Sequence, residues 1–256
     1  MQQDRSAAAD MLYAARKDNI SIDALPLELR PATEREAYAI QAALVRRLRG
    51  PVAGWKVGAT TEGARAALKT DHPFSGRLLG ATLHSSPADL SALSPRSPQV
   101  EAEYVFRLSS LDSGETVDDE KILSAITAIH PGIEICSSAF GNPFQVGIAS
   151  LIADNGLASH LILGEACQKF THRDLVEQEV TMFLNEREVQ RGNGKVVLGH
   201  PLNSLIWLAR HVLDGGQNIP EGSLVASGSC TGMLEVRKGD HVEARFGSLG
   251  SVFANF

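Results

Sequence analysis

Two glutamates stand two residues apart in the apolar run VEAEYVFRL, which covers residues 100–108. The run is typical of a buried β-strand, and side chains two apart on a strand leave the same face, roughly 6.6 Å from one another. If both are buried, the carboxylates of Glu101 and Glu103 repel each other and lose hydration, so one must hold a proton or a cation must lie between them. Alternatively, both line the solvent face of an edge strand, where alternating acidic residues are ordinary.

A third glutamate, Glu134, lies in a second apolar run, HPGIEIC, at 130–136. If the two strands lie close together, three carboxylates converge, and a hard divalent cation such as Mg²⁺ or Mn²⁺ favours oxygen ligands of this kind. Cys136 is two residues from Glu134 and faces the same side of its strand. A soft thiol does not suit a hard cation, so we expect Cys136 to pack beside the site.

Lys56 is the one charged residue of the short run GWKVG, which glycines bracket at 54 and 58. Glycines around an apolar strand let the backbone pass close to another group. If the run is buried, the ammonium group needs a carboxylate cluster or an anionic ligand as its partner. The alternative is a lysine at a strand edge, whose stem packs while its head reaches water.

The first 50 residues are predicted to be helical. Apolar helical spacing runs over 6–17, and Thr33 to Glu36 have the pattern of a capping box before AYAIQAALVRRLRG, which ends in basic residues and Gly50-Pro51. Beyond them we expect strands, a helix over 202–216, and a hairpin within 181–197 that turns at Asn185-Glu186 or at 192–194. The predicted fold is α+β, with an N-terminal helical segment at 1–50 on a β-rich body at 51–256, or one domain throughout.

Composition limits the classes of function. The 256 residues are 43% hydrophobic and 21% charged, and the net charge of −6 with no long basic run argues against a nucleic-acid surface. No apolar stretch approaches the roughly 20 residues of a membrane span, and the N-terminus lacks the basic-then-apolar order of a secretory signal. Three cysteines cannot all pair within one chain and none forms a C-x-x-C motif, which predicts a cytoplasmic protein.

Six stretches taken together resemble the 2-oxopent-4-enoate hydratase / 4-oxalocrotonate decarboxylase family, within the fumarylacetoacetate hydrolase-like superfamily. They are GWKVGATT at 54–61, VEAEYVFRL at 100–108, IEIC at 133–136, IADN at 152–155, LGHP…WLA at 198–209, and GSLVASGSCTG at 222–232 with the terminal FGSLGSVFANF. Their order and spacing fit the family over roughly residues 30 to 256.

The resemblance implies helices packed on a mixed β-roll, assembled as a homo-oligomer. It implies that Glu101, Glu103 and Glu134 bind Mg²⁺ or Mn²⁺, with Lys56 beside the metal. The implied substrate is a small 2-oxo or 2-hydroxy-dienoic acid from aromatic catabolism, whose carboxylate and adjacent oxygen chelate the metal. Ser229 matches a Gly/Ser strand that closes on the ligand in the family, although a tight strand crossing also accounts for it.

The sequence departs from the family at three places. The family resembles P-D-F-G where this chain has Phe74 in place of the Asp, and D-S-R where this chain has Ala139 in place of the Arg. After Ala-Asp-Asn the family often has Ala-Ser, and this chain has Gly156-Leu157. Phe74 is then expected to contact the substrate. Asp71 could replace the missing base, as could His72, although ordinary loop polarity also explains both.

These departures leave three options: a decarboxylase-like relative, a hydratase with a different base, or a member acting on an unusual 2-oxo acid. The leading hypothesis is hydration of 2-hydroxypenta-2,4-dienoate to 4-hydroxy-2-oxopentanoate. The alternatives are 4-oxalocrotonate decarboxylation, C–C hydrolysis of acylpyruvates, and a catalytically silent subunit that stabilises a partner lyase.

Overall fold

The computed structural model of this chain describes residues 2–92, 98–169 and 172–256. The helices in these ranges are α1 (Gln2–Lys17), α2 (Glu34–Leu48), α3 (Glu62–Leu68), α4 (Asp119–Ser124), α5 (Ile148–Ala153), α6 (His172–Glu177) and α7 (Pro201–Asp214). The strands are β1 (Val52–Gly58), β2 (Phe74–Leu79), β3 (Leu83–Ser85), β4 (Ala88–Asp89), β5 (Gln99–Leu108), β6 (Ile126–Cys136), β7 (Ala158–Leu163), β8 (Glu179–Leu184), β9 (Arg187–Asn193), β10 (Leu224–Ala226), β11 (Leu234–Glu235), β12 (His241–Arg245) and β13 (Ser251–Asn255).

The strands form two sheets with both parallel and antiparallel neighbours. The larger sheet has the order β2-β1-β10-β5-β6-β7-β3, with β11 also paired to β5, and the smaller has the order β4-β13-β12-β8-β9. β1 runs parallel to β10, whereas β5 and β6 form a long antiparallel pair. Because β5 and β6 lie in the middle of the larger sheet, both are almost entirely buried.

The main core lies between the two sheets and under α7. It joins Tyr104 and Phe106 of β5 to Val242 of β12 and Leu208 of α7, and the rings of Tyr104 and Phe246 meet edge to face at 5.3 Å. Edge-to-face aromatic pairs of this kind stabilise a core beyond the area they bury. This contact fixes β5 against the smaller sheet.

The N-terminal helices pack on the body through a second apolar cluster. Leu12 of α1 and Leu44 of α2 pack with Phe74, Leu151 and other buried apolar side chains. The predicted cap is confirmed, because the hydroxyl of Thr33 accepts a hydrogen bond from the Glu36 N–H at 3.3 Å. The Glu36 carboxylate reaches back to the N–H of residue 32 at 2.9 Å.

Two further local predictions are confirmed. The hairpin of β8 and β9 turns at Asn185-Glu186, where both residues have positive φ (51° and 68°), and not at 192–194. This two-residue turn matches the twist of the flanking strands. The helix predicted over 202–216 is α7, and the His200 side chain caps it by accepting the Leu202 N–H at 3.0 Å.

The predicted α+β architecture, helices packed on a mixed β body, is confirmed. The division at residue 50 stays a prediction. No helix within the described ranges is both long enough and apolar enough to cross a membrane.

Candidate metal centre

Strand register brings the three glutamates to one face of the larger sheet. Glu101 lies directly opposite Glu134 in the antiparallel pair of β5 and β6, and Glu103 is two residues further along β5. Directly opposed residues and residues two apart share a face. Lys56 of β1 reaches the same face because it pairs with residue 226 of β10, which in turn pairs with residue 105, two beyond Glu103.

All four side chains are withdrawn from solvent. The exposed fraction is 0% for Glu103 and Glu134, 2% for Lys56 and 8% for Glu101, which rules out the solvent-face and strand-edge alternatives. Lys56 Nζ lies 3.2 Å from Glu134 Oε2. One ammonium among three carboxylates leaves the cluster rich in negative charge when all three are ionised.

The surroundings shift the pKa values of the cluster. Burial raises the pKa of Glu134 to about 7, with Lys56 opposing the shift and Glu101 adding to it. Burial also raises the pKa of Glu103 well above its usual range, and the charges of Glu134 and Glu101 push it further. Burial alone lowers the pKa of Lys56, but the neighbouring carboxylates outweigh it and raise that pKa. Lys56 is therefore an ammonium group at neutral pH.

Several oxygen atoms of the cluster lack hydrogen-bond donors. Within the described part of the chain, Glu103 Oε1 and both Glu134 oxygens have no donor in hydrogen-bond geometry, although Lys56 forms the ion pair with Glu134. The other oxygen of Glu103 accepts the Gly228 N–H at 2.8 Å. Buried carboxylate oxygens without donors are costly unless a proton or a cation binds them. The donor set therefore fits a hard divalent cation.

Cys136 lies beside these oxygens, as its place on β6 predicts. Its Sγ is 3.6 Å from Glu101 Oε2, and one donor atom each of Glu101, Glu134 and Cys136 lie within 4.8 Å of one another. Burial, followed by the charges of Glu134 and Glu101, raises the pKa of the Cys136 thiol well above its usual range. A protonated thiol is a poor ligand for a hard cation, which agrees with the expectation that Cys136 packs beside the site.

A cavity of about 180 Å³ opens beside Lys56 and Glu101. Its polar lining also includes the hydroxyls of Thr60, Thr61 and Ser229. Ser229 Oγ accepts the Gly232 N–H at 2.8 Å, so its own O–H remains able to donate to a ligand. We call this cavity the metal pocket.

Apart from these polar groups, the lining of the metal pocket is apolar. Its wall consists of aliphatic and aromatic side chains: Leu68, Phe74, Phe144, Leu151, Leu157 and Met233. The described lining contains no ionisable group besides Lys56 and Glu101. Any charged group on the far end of a ligand would lack a partner there.

Phe74 fills part of this wall and is only 3% exposed. Its ring centroid is 5.9 Å from Lys56 Nζ. The ring lies against the backbone at Gly58 and Gly156, where a Cβ atom would overlap it. The departures at Phe74 and Gly156 are therefore one packing arrangement, which sequence reasoning recorded as two separate differences.

Asp71 is not brought into the metal pocket. Its side chain is 96% exposed and lies 3.6 Å from His72 on the surface loop after α3. Asp71 is close to Phe74 in the sequence, which suggested that Asp71 could be the base. The chain enters β2 at Phe74, however, and of these two residues only Phe74 lines the metal pocket. We therefore do not assign Asp71 a catalytic role.

Ala139, the position at which the family pattern has an Arg, lies next to a buried ion pair. Asp154 is completely buried, and its Oδ1 is 2.6 Å from Nε of Arg16 on α1. Its Oδ2 accepts the Ser138 hydroxyl at 2.7 Å and the Ala139 N–H at 2.8 Å. Sequence reasoning missed this role of Arg16, because a buried Asp predicts a cation without saying which of the 24 Lys and Arg residues supplies it.

The sequence and the fold have clear counterparts among known proteins. Residues 81–256 match the fumarylacetoacetate hydrolase C-terminal family, and the chain belongs to that family of enzymes. Within it, the chain is 30% identical to 2-keto-4-pentenoate hydratase 1 of Dechloromonas aromatica over 253 residues, which cover 98% of this chain and 96% of that one. It is 32% identical to a 4-oxalocrotonate decarboxylase of Pseudomonas putida over 231 residues, which cover 88% and 86%.

Among solved structures, 4-oxalocrotonate decarboxylase from Pseudomonas putida G7, complexed with magnesium and adipate, superposes with a TM-score of 0.89 at 28% identity. The match covers 100% of this chain and 98% of that one. The resemblance that the six sequence stretches indicated is confirmed.

Proposed function

We propose that this chain is a metal-dependent lyase that hydrates 2-hydroxypenta-2,4-dienoate to 4-hydroxy-2-oxopentanoate. Glu101, Glu103 and Glu134 would hold Mg²⁺ or Mn²⁺, and Lys56 would act on the substrate beside it. The observation that carries this proposal is the buried cluster of three carboxylates and one ammonium group, with oxygen atoms left without donors. A divalent cation, when bound, supplies Lewis-acid polarisation of the substrate's 2-oxygen.

Lys56 has two roles in this scheme. As an ammonium group it donates a hydrogen bond to the 2-oxygen while negative charge develops there. It also holds a proton close to the conjugated chain, and proton transfer by a positioned side chain typically contributes about 10²–10⁴-fold to a rate. Loss of the 2-hydroxyl proton and gain of a proton at C5 convert the dienol to the 2-oxo-3-enoate, whose C4 is electrophilic. Water then adds its hydroxyl group at C4 and a proton at C3. The hydroxyls of Thr60, Thr61 and Ser229 line the metal pocket and can orient the water.

The apolar wall favours hydration over decarboxylation of 4-oxalocrotonate. That substrate carries a second carboxylate, which would meet the apolar wall of the metal pocket. An ionised carboxylate without a partner is expensive to bury, and the described lining offers no cation besides Lys56. The vinyl end of 2-hydroxypenta-2,4-dienoate suits the same surface. Hydrolysis of acylpyruvates needs a His or Glu free to activate water near the metal. The described lining has no His, and its one Glu, Glu101, is a proposed metal ligand.

The test is turnover of both substrates by the purified full chain, with Mg²⁺ and with excess EDTA. Loss of dienoate absorbance that requires Mg²⁺, together with formation of 4-hydroxy-2-oxopentanoate, is the expected result. Faster release of CO₂ from 4-oxalocrotonate would assign the chain to decarboxylation. Absence of turnover of either compound would reject the substrate class and leave the silent partner subunit as the explanation.

The assembly and location of the protein remain predictions that accompany this function. We propose a homo-oligomer in the cytoplasm, either alone or in complex with a partner lyase. The three cysteines are all free of disulfide bonds, which suits a reducing compartment. Sedimentation velocity gives the number of subunits, and purification from the native host with identification of bound proteins tests the partner.

A further inference from the structure

A second cavity, of about 430 Å³, lies where α1 and α2 end against the body. It shares no lining residue with the metal pocket. Its walls come from the ends of the two helices, from β2 and the turn after it, and from the segment that leads into β7. The volume falls within the range of roughly 300–1,000 Å³ typical of small-molecule sites. We call it the cationic cavity.

The lining of the cationic cavity is strongly positive. Four basic side chains line it, Arg16, Lys17, Arg49 and Arg77, and the lining contains no Asp or Glu. Asp154 compensates Arg16. The other three form no ion pair with any described acidic residue. A protein of net charge −6 therefore concentrates uncompensated positive charge in one concave place.

Arg77 is the half-buried member of these three uncompensated side chains. Its Nη2 donates to the amide oxygen of Gln217 at 3.0 Å, while its buried Nε has no partner among the described residues. Burial and the nearby charge of Arg46 lower the pKa of the guanidinium. Its backbone is fixed, because Arg77 N–H and C=O both bond the side chain of Asn155 (2.8 and 3.0 Å). The bond to Gln217 holds the guanidinium, and its charge, which no described acidic residue pairs with, can bind an oxyanion.

We propose that the cationic cavity binds a small multivalent oxyanion, either a phosphate ester or a polycarboxylate, separately from the substrate. Two uncompensated arginines provide forked donors that match carboxylate or phosphate oxygens. The lysine adds a third positive charge at the exposed rim. Local cations of this kind attract an anion despite an opposing net charge. Because the end of α1 forms part of the wall, the bound anion also tightens the packing of that helix on the body.

The experiment is calorimetric titration of the metal-free full chain with inorganic pyrophosphate and, separately, with citrate, at constant ionic strength. Saturable binding with one site per chain is expected, together with a rise in the melting temperature. The two ligands distinguish phosphate from carboxylate recognition. Metal-free protein is used because both ligands chelate Mg²⁺ and would otherwise report on the metal pocket.

Arg49→Gln and Arg77→Gln should each weaken that binding about tenfold, the effect of losing one charged hydrogen bond. Arg49 is exposed, so its variant keeps the proposal testable if Arg77→Gln folds poorly. Arg245→Gln is the matched control, because it removes one positive charge outside the cavity and should leave binding unchanged. Equal affinity in all variants, or no binding by the unaltered chain at millimolar ligand, would overturn the proposal. A change of subunit number in Arg49→Gln would also overturn it, by showing that a second copy covers the cavity.

Discussion

The ring of Phe74 occupies the space that a side chain at position 156 would need. A Cβ atom built on Gly156 would lie 2.7 Å from Cε2 of that ring, and Gly156 has a φ of +59°. A Cβ atom built on Gly58 would lie 2.3 Å from Cζ of the same ring, and Gly58 has an ordinary φ. The aromatic wall of the metal pocket therefore depends on two glycines that flank it.

Gly58→Ala tests this packing without backbone strain. The added methyl group must displace the Phe74 ring, which we expect to destabilise the protein by about 1–3 kcal/mol and to narrow the metal pocket. Urea unfolding measures this loss of stability. Combining Gly58→Ala with Phe74→Leu should recover part of it, because the shorter side chain leaves room. Gly63→Ala, an exposed helical position with open space around it, should be neutral or slightly stabilising. Strictly additive effects of the two pocket substitutions would contradict the contact.

Metal binding should distinguish the glutamates from the neighbouring thiol. Glu134→Gln keeps the size of the side chain and removes one ligand charge, so we expect Mg²⁺ affinity to fall at least tenfold in calorimetry. Cys136→Ala should leave Mg²⁺ affinity within about twofold, because the soft protonated thiol is not a ligand. If the alanine variant loses Mg²⁺ as fully as the glutamine variant does, Cys136 belongs to the coordination sphere.

Local periodicity and local hydrogen bonding explain what the sequence could predict. The alternation along 100–108 placed Glu101 and Glu103 on one face, and the Thr33 cap and the Asn185-Glu186 turn depend only on neighbours in the chain. The convergence of Glu134 on the same face needed only two apolar strands to pair. The shared face, the cap and the turn are encoded within short windows of sequence, whereas the pairing of β5 with β6 is not.

Other features depend on partners that local patterns do not specify. Arg16 and Asp154 are 138 positions apart in the sequence. β1 pairs with β10, although the two strands are also far apart in the sequence. The fit of Phe74 between Gly58 and Gly156 likewise joins three distant places. Closeness in sequence can also mislead. Asp71 is near Phe74 in the sequence, which suggested that it acts as a base, but its exposed side chain does not support that role. Which distant residues become partners depends on the complete tertiary structure, so local sequence patterns cannot predict these contacts.

Lys56→Gln should separate chemistry from metal binding. Loss of the ammonium group removes the proton donor, so we expect kcat for the dienoate to fall about 10²–10⁴-fold. Affinity for Mg²⁺ should stay the same or rise, because Lys56 competes with the metal for Glu134. Calorimetry and steady-state kinetics on the same preparation give both quantities. A parallel loss of metal affinity and kcat would make Lys56 a structural counter-ion with no part in proton transfer.

Arg16→Ala should destabilise the protein strongly, because it leaves the fully buried Asp154 without its cation. Breaking a buried pair by removing one partner costs about 3–5 kcal/mol. Adding Asp154→Asn to this variant should restore part of the stability by removing the uncompensated charge. The matched control is Arg210→Ala, whose partner Asp119 is half exposed and which should cost no more than about 1 kcal/mol. The free energy of unfolding of each variant is measured in urea. Equal losses in the two single variants would show that the buried Arg16–Asp154 pair stabilises the protein no more than the exposed Arg210–Asp119 pair does.

The histidine pair of β3 and β7 should make stability depend on pH. His84 Nε2 and His160 Nδ1 lie 3.0 Å apart, and burial, together with the charge of His84, lowers the pKa of His160 to about 4. The folded chain thus keeps His160 neutral where the unfolded chain, with a pKa near 6.5, takes up a proton. The stabilisation is complete above about pH 6.5, declines as pH falls and is lost below about pH 4.

Over that interval the contribution of His160 should change by roughly 1–2 kcal/mol, allowing for partial solvent screening. His160→Gln should therefore show a shallower loss of stability between pH 6.5 and 4 than the unaltered chain. The control is His72→Gln, on the exposed loop after α3, which should leave the slope unchanged. Urea unfolding at half-unit pH intervals gives the two curves. Superimposable curves for His160→Gln and the unaltered chain would show that His160 titrates alike in the folded and unfolded states.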